Sequence, residues 1–407
     1  MKHILLIFHH YRTPEQLGGL RSWHIGTHFA KQGYRVTAIV PGVDTLTGQK
    51  HPGLQGKLWC KEVIDDVEVI RVNATTNDRR SKIRRAFYYV SLSAIQAIAM
   101  TFVRDVDVII STSMPLSSVI FSYTSAKVRN IPFVIDVRDL TIDTAIDLEY
   151  FSTSTLINLV LKIETFIFKQ ANHLIPVSNG MAQILKTKGI NPDKITVVPI
   201  GYEGKVYNQH VDWNRDIKTE LGLTGKFVVL YAGSLGYVYD IPTILSAAEQ
   251  TVKLPDIVYI FVGDGQRLPD YKEIAYNKNL HCIFLGPRPK LEIPLFCTQS
   301  NIGIYPLKGG KSVAALLGNK IFDYLGNGLP VIYSGPEGDV SCLVKQSKGG
   351  ICVPPEDYKT MTEKIMQLYN NSNRMQDMGN YAKIYIQKEL NINAMMSRFQ
   401  ETIENML

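Results

Sequence analysis

Short apolar runs of strand length recur along the whole chain, each followed by a longer stretch with helical spacing, and this alternation limits the fold more than any other feature. Apolar runs without polar interruption suit strands covered on both faces. Strands that alternate with helices form parallel sheets clothed by those helices. A first array comprises residues 1–8, 35–40, 67–72, 106–110, 133–137, 173–177 and 195–198, and a second comprises 227–231, 257–262, 281–285, 301–305, 329–333 and 350–353. Residues 199–216 carry no clear periodicity and read as the connection between the two arrays. The expectation is an α/β protein with two Rossmann-like, doubly wound domains facing across a cleft, over residues 1–200 and 201–389. A terminal helix, 390–407, is expected to pack back on the first domain.

Length supports two domains, because 407 residues with 45% apolar content exceed what one core accommodates. A net charge of +7 suits anionic small partners but is too mild to indicate nucleic acid. The five cysteines have no paired or finger spacing, which fits a reducing cytoplasm. The opening apolar run is too short for a signal peptide. An uncharged run over 86–103 has nearly the length of a membrane span, but two Tyr, two Ser and a Gln interrupt it and a strand follows at once, so a helix packed on a sheet is expected. Arg79, Arg80, Lys82, Arg84 and Arg85 precede Phe87, Tyr88 and Tyr89, the composition of a segment resting on an anionic leaflet; a solvated basic turn before a core helix is the competing account.

Ligands of parallel sheets bind beyond the carboxyl ends of the strands, so the loops there carry the functional expectations. Gly18 and Gly19 precede a helix and allow backbone N–H groups to approach a phosphate. Gly233-Ser234-Leu235-Gly236 and Gly263-Asp264-Gly265 follow two strands of the second array, and Arg138 with Asp139 ends a strand of the first, as functional groups or as a buried salt-bridged pair. Gly318-Asn319-Lys320 opens a helix whose partial positive charge Lys320 would reinforce for an anion, with Asp323 one turn later suited to sugar hydroxyls. Other patterns carry less. Lys308 to Ser312 resembles a P-loop, but Tyr305 stands where its leading glycine belongs. His24 and His28 bracket Ile25 rather than the Glu of a zinc-protease helix, and Asp105 and Asp107 lie at a strand's entry, where a structural role is expected.

The second half, with VVLYAGSLGYVYDIPTIL, FVGDGQ, CIFLGPRPK, IGIYPL and LGNKIFDYLGNGLPVI in order, resembles the family 4 glycosyltransferases of the GT-B fold. In the first half, GGLRSWHIGTHFAKQGYRVTAIV, PFVIDVRDL and ITVVPIGYE resemble the same family, nearest the branch that builds bacterial capsule and O-antigen, including the N-acetyl-fucosamine transferases. The resemblance implies retaining transfer of a sugar from a nucleotide diphosphate, usually UDP. The acceptor would be a glycan or a polyprenyl-diphosphate-linked sugar held by the first domain. Neither metal nor other cofactor is implied, and the protein would work in the cytoplasm or on the inner face of the plasma membrane. The implied catalytic residues are Arg138, Asp139 and Lys320. Implied at the donor are Gly18, Gly19, Arg21, Gly233, Ser234, Leu235, Gly236, Gly263, Gly265, Arg288, Lys311 and, on the ribose, Asp323. The sequence departs from the family at four places. Ala315 stands at the usual glutamate, Arg138 at a frequent histidine, and Ser234 and Tyr239 near an expected Arg and Lys, for which Lys311 or Arg21 are candidate substitutes. A nucleotide-sugar epimerase on the same fold and an inactive nucleotide-sugar-binding subunit are the alternative readings.

Overall fold

The computed structural model describes residues 1–44, 48–74, 82–149 and 155–407. Seven strands, β1 (His3–Ile7), β2 (Arg35–Pro41), β3 (Trp59–Ile64), β4 (Val67–Val72), β5 (Val108–Thr112), β6 (Phe133–Val137) and β7 (His173–Pro176), form one sheet in the order β3-β4-β2-β1-β5-β6-β7. Six more, β8 (Phe227–Ala232), β9 (Ile257–Val262), β10 (Cys282–Gly286), β11 (Ile302–Pro306), β12 (Val331–Ser334) and β13 (Gly350–Val353), form an all-parallel sheet in the order β10-β9-β8-β11-β12-β13. The winding reverses between β1 and β5 in the first sheet and between β8 and β11 in the second, so each has its crevice beside its first strand. These are two Rossmann-like α/β units, as the alternation of apolar runs requires.

The central strands were readable because they are buried along their whole length: β1, β5, β6, β8 and β9 have no exposed residue. The edge strand β3 was not, because its residues alternate between half-buried and exposed positions. It pairs antiparallel with β4 through Asp65 and Asp66, both with positive φ (46° and 65°), the conformation of a two-residue hairpin. The strand expected over 195–198 forms only an isolated bridge from Ile195 to Leu174; Thr196 N–H and Val198 N–H still donate to Leu174 and Pro176. The aperiodic connection over 199–216 contains a short helix, Gly204–His210.

Helices Lys82–Thr101, Leu116–Arg129 and Thr155–Gln170 cover one face of the first sheet with Tyr88, Leu92, Val119, Ile167 and Phe168. Helix Arg21–Lys31 covers the other face together with the last helix, Ile392–Glu404, which returns from the second domain and inserts Met396, Phe399 and Ile403 beside Ile25 and Phe29. At about 1.5–3 kcal/mol per buried large apolar side chain, this helix contributes several kcal/mol to the first domain's core. The chain thus crosses between domains twice. The crossings pair directly: Tyr202 N–H donates to Leu390 C=O at 2.7 Å, and Ile392 N–H donates to Tyr202 C=O at 3.0 Å.

Among the described residues no helix is long and apolar enough to cross a membrane. Of the basic cluster, Arg79 and Arg80 lie outside the described residues; Lys82, Arg84 and Arg85 belong to the first turns of a helix described there by its backbone alone.

Candidate functional site

Lys320 lies in the first turn of helix Asn319–Gly326, which starts after Gly318 at the crevice of the second sheet. Its ammonium sits in a cage of tyrosine rings: 3.3 Å from the centroid of Tyr239, 4.5 Å from Tyr231 and 5.1 Å from Tyr305. It donates to Tyr231 Oη at 3.1 Å, and Tyr231 Oη in turn donates to Ser234 C=O. Lys320 is only 7% exposed, and among the described residues no carboxylate forms an ion pair with it. Burial therefore drives the ammonium's pKa well below its ordinary value. Cation–π contacts return about 0.5–2 kcal/mol each, less than the cost of desolvating an unpaired ammonium, so the site is short of negative charge.

The glycine loops explain how a lysine comes to lie there. A Cβ on Gly233, whose φ is 154°, would fall 2.5 Å from Lys320 Cε, so only glycine lets this loop close over the side chain. Gly263 and Gly265 are required by the packing of the loops themselves. A Cβ on Gly263 would lie 1.9 Å from the Gly233 carbonyl oxygen, and one on Gly265 would lie 2.4 Å from that of Leu235. The two loops are thus stacked backbone on backbone, with Leu235 fully buried and its N–H donating to Asp264 C=O at 2.9 Å. Ser234 is exposed. From across the cleft, the Gly18-Gly19 loop reaches the same helix start: a Cβ on Gly19 would lie 2.4 Å from Asn319 Nδ2.

Asp323 does not take the position expected of a ribose ligand. Both its oxygens accept from Lys290 Nζ at 2.8 Å, and Tyr207 Oη donates to Oδ1 at 2.6 Å. Lys290 also lies 3.6 Å from Glu203, which faces His24 at 3.4 Å. This buried cluster ties the first domain (His24), the connection (Glu203, Tyr207) and the second domain (Lys290, Asp323) together. Two carboxylates share one ammonium. Burial would raise Glu203, but Lys290, His24 and Tyr207 bring it down to about 2. Asp323 is pushed up, by burial first and by the neighbouring Glu203, against the pull of Lys290. The two carboxylates hold the Lys290 ammonium above its usual range despite burial. No pattern in the sequence singled out Glu203 or Lys290; both lie inside recognised segments, but their partners are far away along the chain.

Arg21 is likewise no donor-loop cation. It grips Asp136, at the end of β6, through Nε at 3.0 Å and Nη2 at 2.9 Å, and donates from Nη1 to Pro199 C=O at 3.0 Å. Arg138 donates to the other oxygen of Asp136 at 2.7 Å, with its guanidinium 5.1 Å from the Phe8 ring centroid. The ion-pair partner of Arg138 is therefore Asp136 rather than Asp139. Asp139 keeps a solvent-facing side, yet the cleft walls crowd it enough to push its carboxyl up to about 6, with Arg138 opposing. Its charge acts on Tyr239, pushed up to about 12 by burial and then by Asp139. Asp139 and Lys320 thus act on the same tyrosine, Tyr239, from opposite domains.

Lys311 is exposed, and the neighbouring Ser312 N–H donates to Asp147 across the domain seam at 2.5 Å. Arg288 has a buried Nε without a partner among the described residues, and its charge acts on Glu220. Ala315 is packed against the first domain: its carbonyl accepts from Ser178 Oγ at 2.6 Å, and a Cβ on Gly180 would lie 2.8 Å from its Cβ. No space is left there for a glutamate. Close by, Asp339 accepts from Asn179 N–H at 2.9 Å and Gly180 N–H at 2.8 Å. His28 contacts Gln400 at 2.6 Å instead of sharing a site with His24, and Asp107 accepts from His3 N–H at 2.7 Å. Among the described residues no group of three His, Cys, Asp or Glu side chains could hold a metal.

Comparison with known proteins agrees with this architecture. Residues 21–203 match the family model described as Glycosyltransferase Family 4, and residues 214–385 match that of Glycosyl transferases group 1. The chain is 24% identical to spore coat protein SA of Bacillus subtilis (strain 168) over 231 residues, 52% of this chain and 59% of the relative. It is 27% identical to the UDP-Gal:alpha-D-GlcNAc-diphosphoundecaprenol alpha-1,3-galactosyltransferase of Escherichia coli over 223 residues, 52% of this chain and 55% of that enzyme. The matches thus span somewhat over half the length of these curated relatives. Among solved structures, Anabaena HepE in complex with UDP-glucose superposes with a TM-score of 0.74 at 15% identity, covering 100% of both chains. Sucrose-phosphate synthase from Thermosynechococcus elongatus superposes with a TM-score of 0.78 at 16% identity, covering 100% of this chain and 99% of its own. With one family model on each half and two Rossmann-like units in the GT-B arrangement, the chain belongs to glycosyltransferase family 4.

Proposed function

We propose that the protein transfers a sugar from a nucleoside diphosphate donor, a UDP-sugar, to a polyprenyl-diphosphate-linked or glycan acceptor in the assembly of a bacterial surface polysaccharide. The carrying observation is the unpaired Lys320 ammonium in its tyrosine cage, against the Gly233 loop and facing the Gly19 loop. A diphosphate leaving group gains negative charge as the glycosidic bond breaks, and a fixed cation beside backbone N–H groups stabilises that charge. Ser234 and Tyr239 replace the cations usual in this loop. Lys320, entering from the neighbouring helix, supplies the charge the loop lacks. Leaving-group stabilisation is assigned to Lys320 and backbone dipoles, so activity should survive chelation. Proton exchange with the acceptor is assigned to Asp139, whose carboxyl, raised to about 6, suits that role near neutrality. The donor's anomeric configuration is retained in this reading.

The test is incubation of the purified protein with candidate UDP-sugars, with and without a lipid-diphosphate-linked acceptor. A retained-configuration product by NMR supports the reading; isomerised donor identifies an epimerase, and binding without turnover a non-catalytic subunit. Activity abolished by EDTA and restored by manganese would refute the metal-free assignment. Peripheral attachment to the inner leaflet through 79–85 is part of the proposal. The protein should sediment with anionic liposomes at low salt and leave them as salt screens the contact.

A further inference from the structure

Beyond the carboxyl ends of β1 and β6 lies a group of basic side chains outside the tyrosine cage. His10 follows β1, Arg12 lies two residues on, and Arg138 ends β6. Burial first, and then Arg12, Arg138 and His9, keep the His10 imidazole well below its ordinary pKa; no carboxylate is among the groups acting on it. The carboxylates nearby are shared among these groups. Asp136 is shared by two guanidinium groups, Arg21 and Arg138, and Asp44 lies 3.3 Å from Arg12 Nε. Asp139, beside Arg138 in the chain, acts on that guanidinium and on Tyr239. Most telling, Arg138 Nη2 is out of contact with solvent and has no hydrogen-bond partner among the described residues. An arginine nitrogen left in this way costs free energy unless a ligand oxygen meets it, and guanidinium groups favour phosphate oxygens.

A second feature adjoins the cations. The His9 ring lies 6.1 Å from Tyr89, in helix Lys82–Thr101, and Tyr88 Oη beside it is buried without a partner among the described residues. From that point the helix turns an apolar face to solvent, with Phe87 70% and Val90 62% exposed. Helix Thr155–Gln170, on the same face of the sheet, exposes Leu156, Leu159 and Phe166 at helical spacing. An unmet arginine N–H at a strand end, with an apolar surface beginning beside it, matches an amphiphile that has an anionic head and a hydrocarbon tail.

We propose that His10, Arg12 and Arg138 seat the diphosphate of a prenyl-diphosphate-linked acceptor, whose hydrocarbon chain leaves across Phe87 and Val90. This rests on the transferase reading above and assigns its acceptor subsite. Seated there, the acceptor sugar would project toward Tyr239, the tyrosine on which Asp139 and Lys320 both act.

The probe is farnesyl diphosphate, titrated by calorimetry into the full-length protein saturated with UDP, so that the donor's own anion site is filled. Farnesol, inorganic pyrophosphate and a second UDP titration are the comparison arms. The expected result is binding of farnesyl diphosphate that is about tenfold weaker in Arg138→Met, and weaker also in His10→Gln, with UDP affinity unchanged in both. Pyrophosphate alone should bind less tightly than the prenyl compound. Should Arg138→Met fail to fold, His10→Gln, whose thermal transition is recorded alongside, carries the test. Equal farnesyl diphosphate affinity in wild type and a folded variant overturns the proposal, as does farnesol binding as tightly as the diphosphate. Pyrophosphate binding as tightly as farnesyl diphosphate overturns the lipid-headgroup assignment. The two readings fail separately: a protein that binds UDP but not the prenyl diphosphate refutes only the acceptor subsite, and one that binds only the prenyl diphosphate refutes only the donor site.

Discussion

Replacing Lys290 by Met tests whether Asp323 belongs to a structural ion cluster or to the donor site. Lys290 is 5% exposed and lies 2.8 Å from both oxygens of Asp323 and 3.6 Å from Glu203. Without it, two buried carboxylates face each other with only His24 and the Tyr207 hydroxyl as polar company. Removing one partner of a buried ion pair costs about 3–5 kcal/mol, because the charge left behind has lost its hydration. At roughly 2–4 °C per kcal/mol for domains of this size, Lys290→Met should melt about 6–20 °C below wild type at pH 7.5 by scanning calorimetry. Acid supplies a second readout. Glu203 is held at about 2 in the folded protein, below its unfolded value, so its stabilising contribution is present above about pH 4 and is lost as pH falls toward 2. In the variant both carboxylates lack their cation and bind protons at higher pH, so the gap from wild type should narrow between pH 7.5 and 5. Adding Asp323→Asn should restore much of the loss, since it removes one of the orphaned charges. A Lys290→Met transition within about 2 °C of wild type would refute the cluster's structural role, as would a gap that widens on acidification. Asp323→Asn that melts normally but no longer binds UDP would return Asp323 to the ribose.

Lys320→Met should have opposite effects on stability and binding: removing an unpaired buried ammonium leaves the melting temperature unchanged or higher, while UDP affinity falls by about 1.5–3 kcal/mol, roughly 10- to 150-fold. Unaltered UDP titration would exclude Lys320 from the donor site. Because the Asp139 carboxyl is raised to about 6, transfer that needs it ionised should slow as pH drops through 6, and Asp139→Asn should abolish that limb of the pH–rate profile. An unchanged acid limb would assign it to another group. Gly263→Ala places a methyl 1.9 Å from the Gly233 carbonyl oxygen, and forcing the loops apart should lower stability by about 1–3 kcal/mol and weaken UDP binding together. Normal melting and binding in that variant would show that the loop stack yields at no cost.

The sheets could be read from sequence because parallel strands are covered on both faces and so keep their apolar runs unbroken. Strand β3 escaped notice for the converse reason: at a sheet edge, Lys61 and Val63 face solvent, and the hairpin turn uses Asp65-Asp66 in place of the usual glycine. At the site, Lys320 was legible from its place at a helix start, which is a local property. The fates of Asp323 and Arg21 were not. A carboxylate's function depends on which cation reaches it, and Lys290 and Asp136 are 33 and 115 residues away. Helical spacing brought Lys320 and Asp323 onto neighbouring positions, but one turns to the tyrosine cage and the other to the interdomain cluster. The absence of the family's glutamate at Ala315 also became intelligible only when the first domain was seen pressed against it.

The two chain crossings have a mechanical meaning. A body tied to another at a single point can swivel in every direction, but here Tyr202 is hydrogen-bonded to both Leu390 and Ile392. Gly201, at φ 86°, has no Cβ to hold the strands apart; one there would lie 3.1 Å from Ile392 Cα. Two adjacent tethers define a line, and rotation about that line is the motion that strains neither. A motion that keeps both tethers is therefore confined to one axis, that of a door on a two-leaf hinge rather than of a ball in a socket.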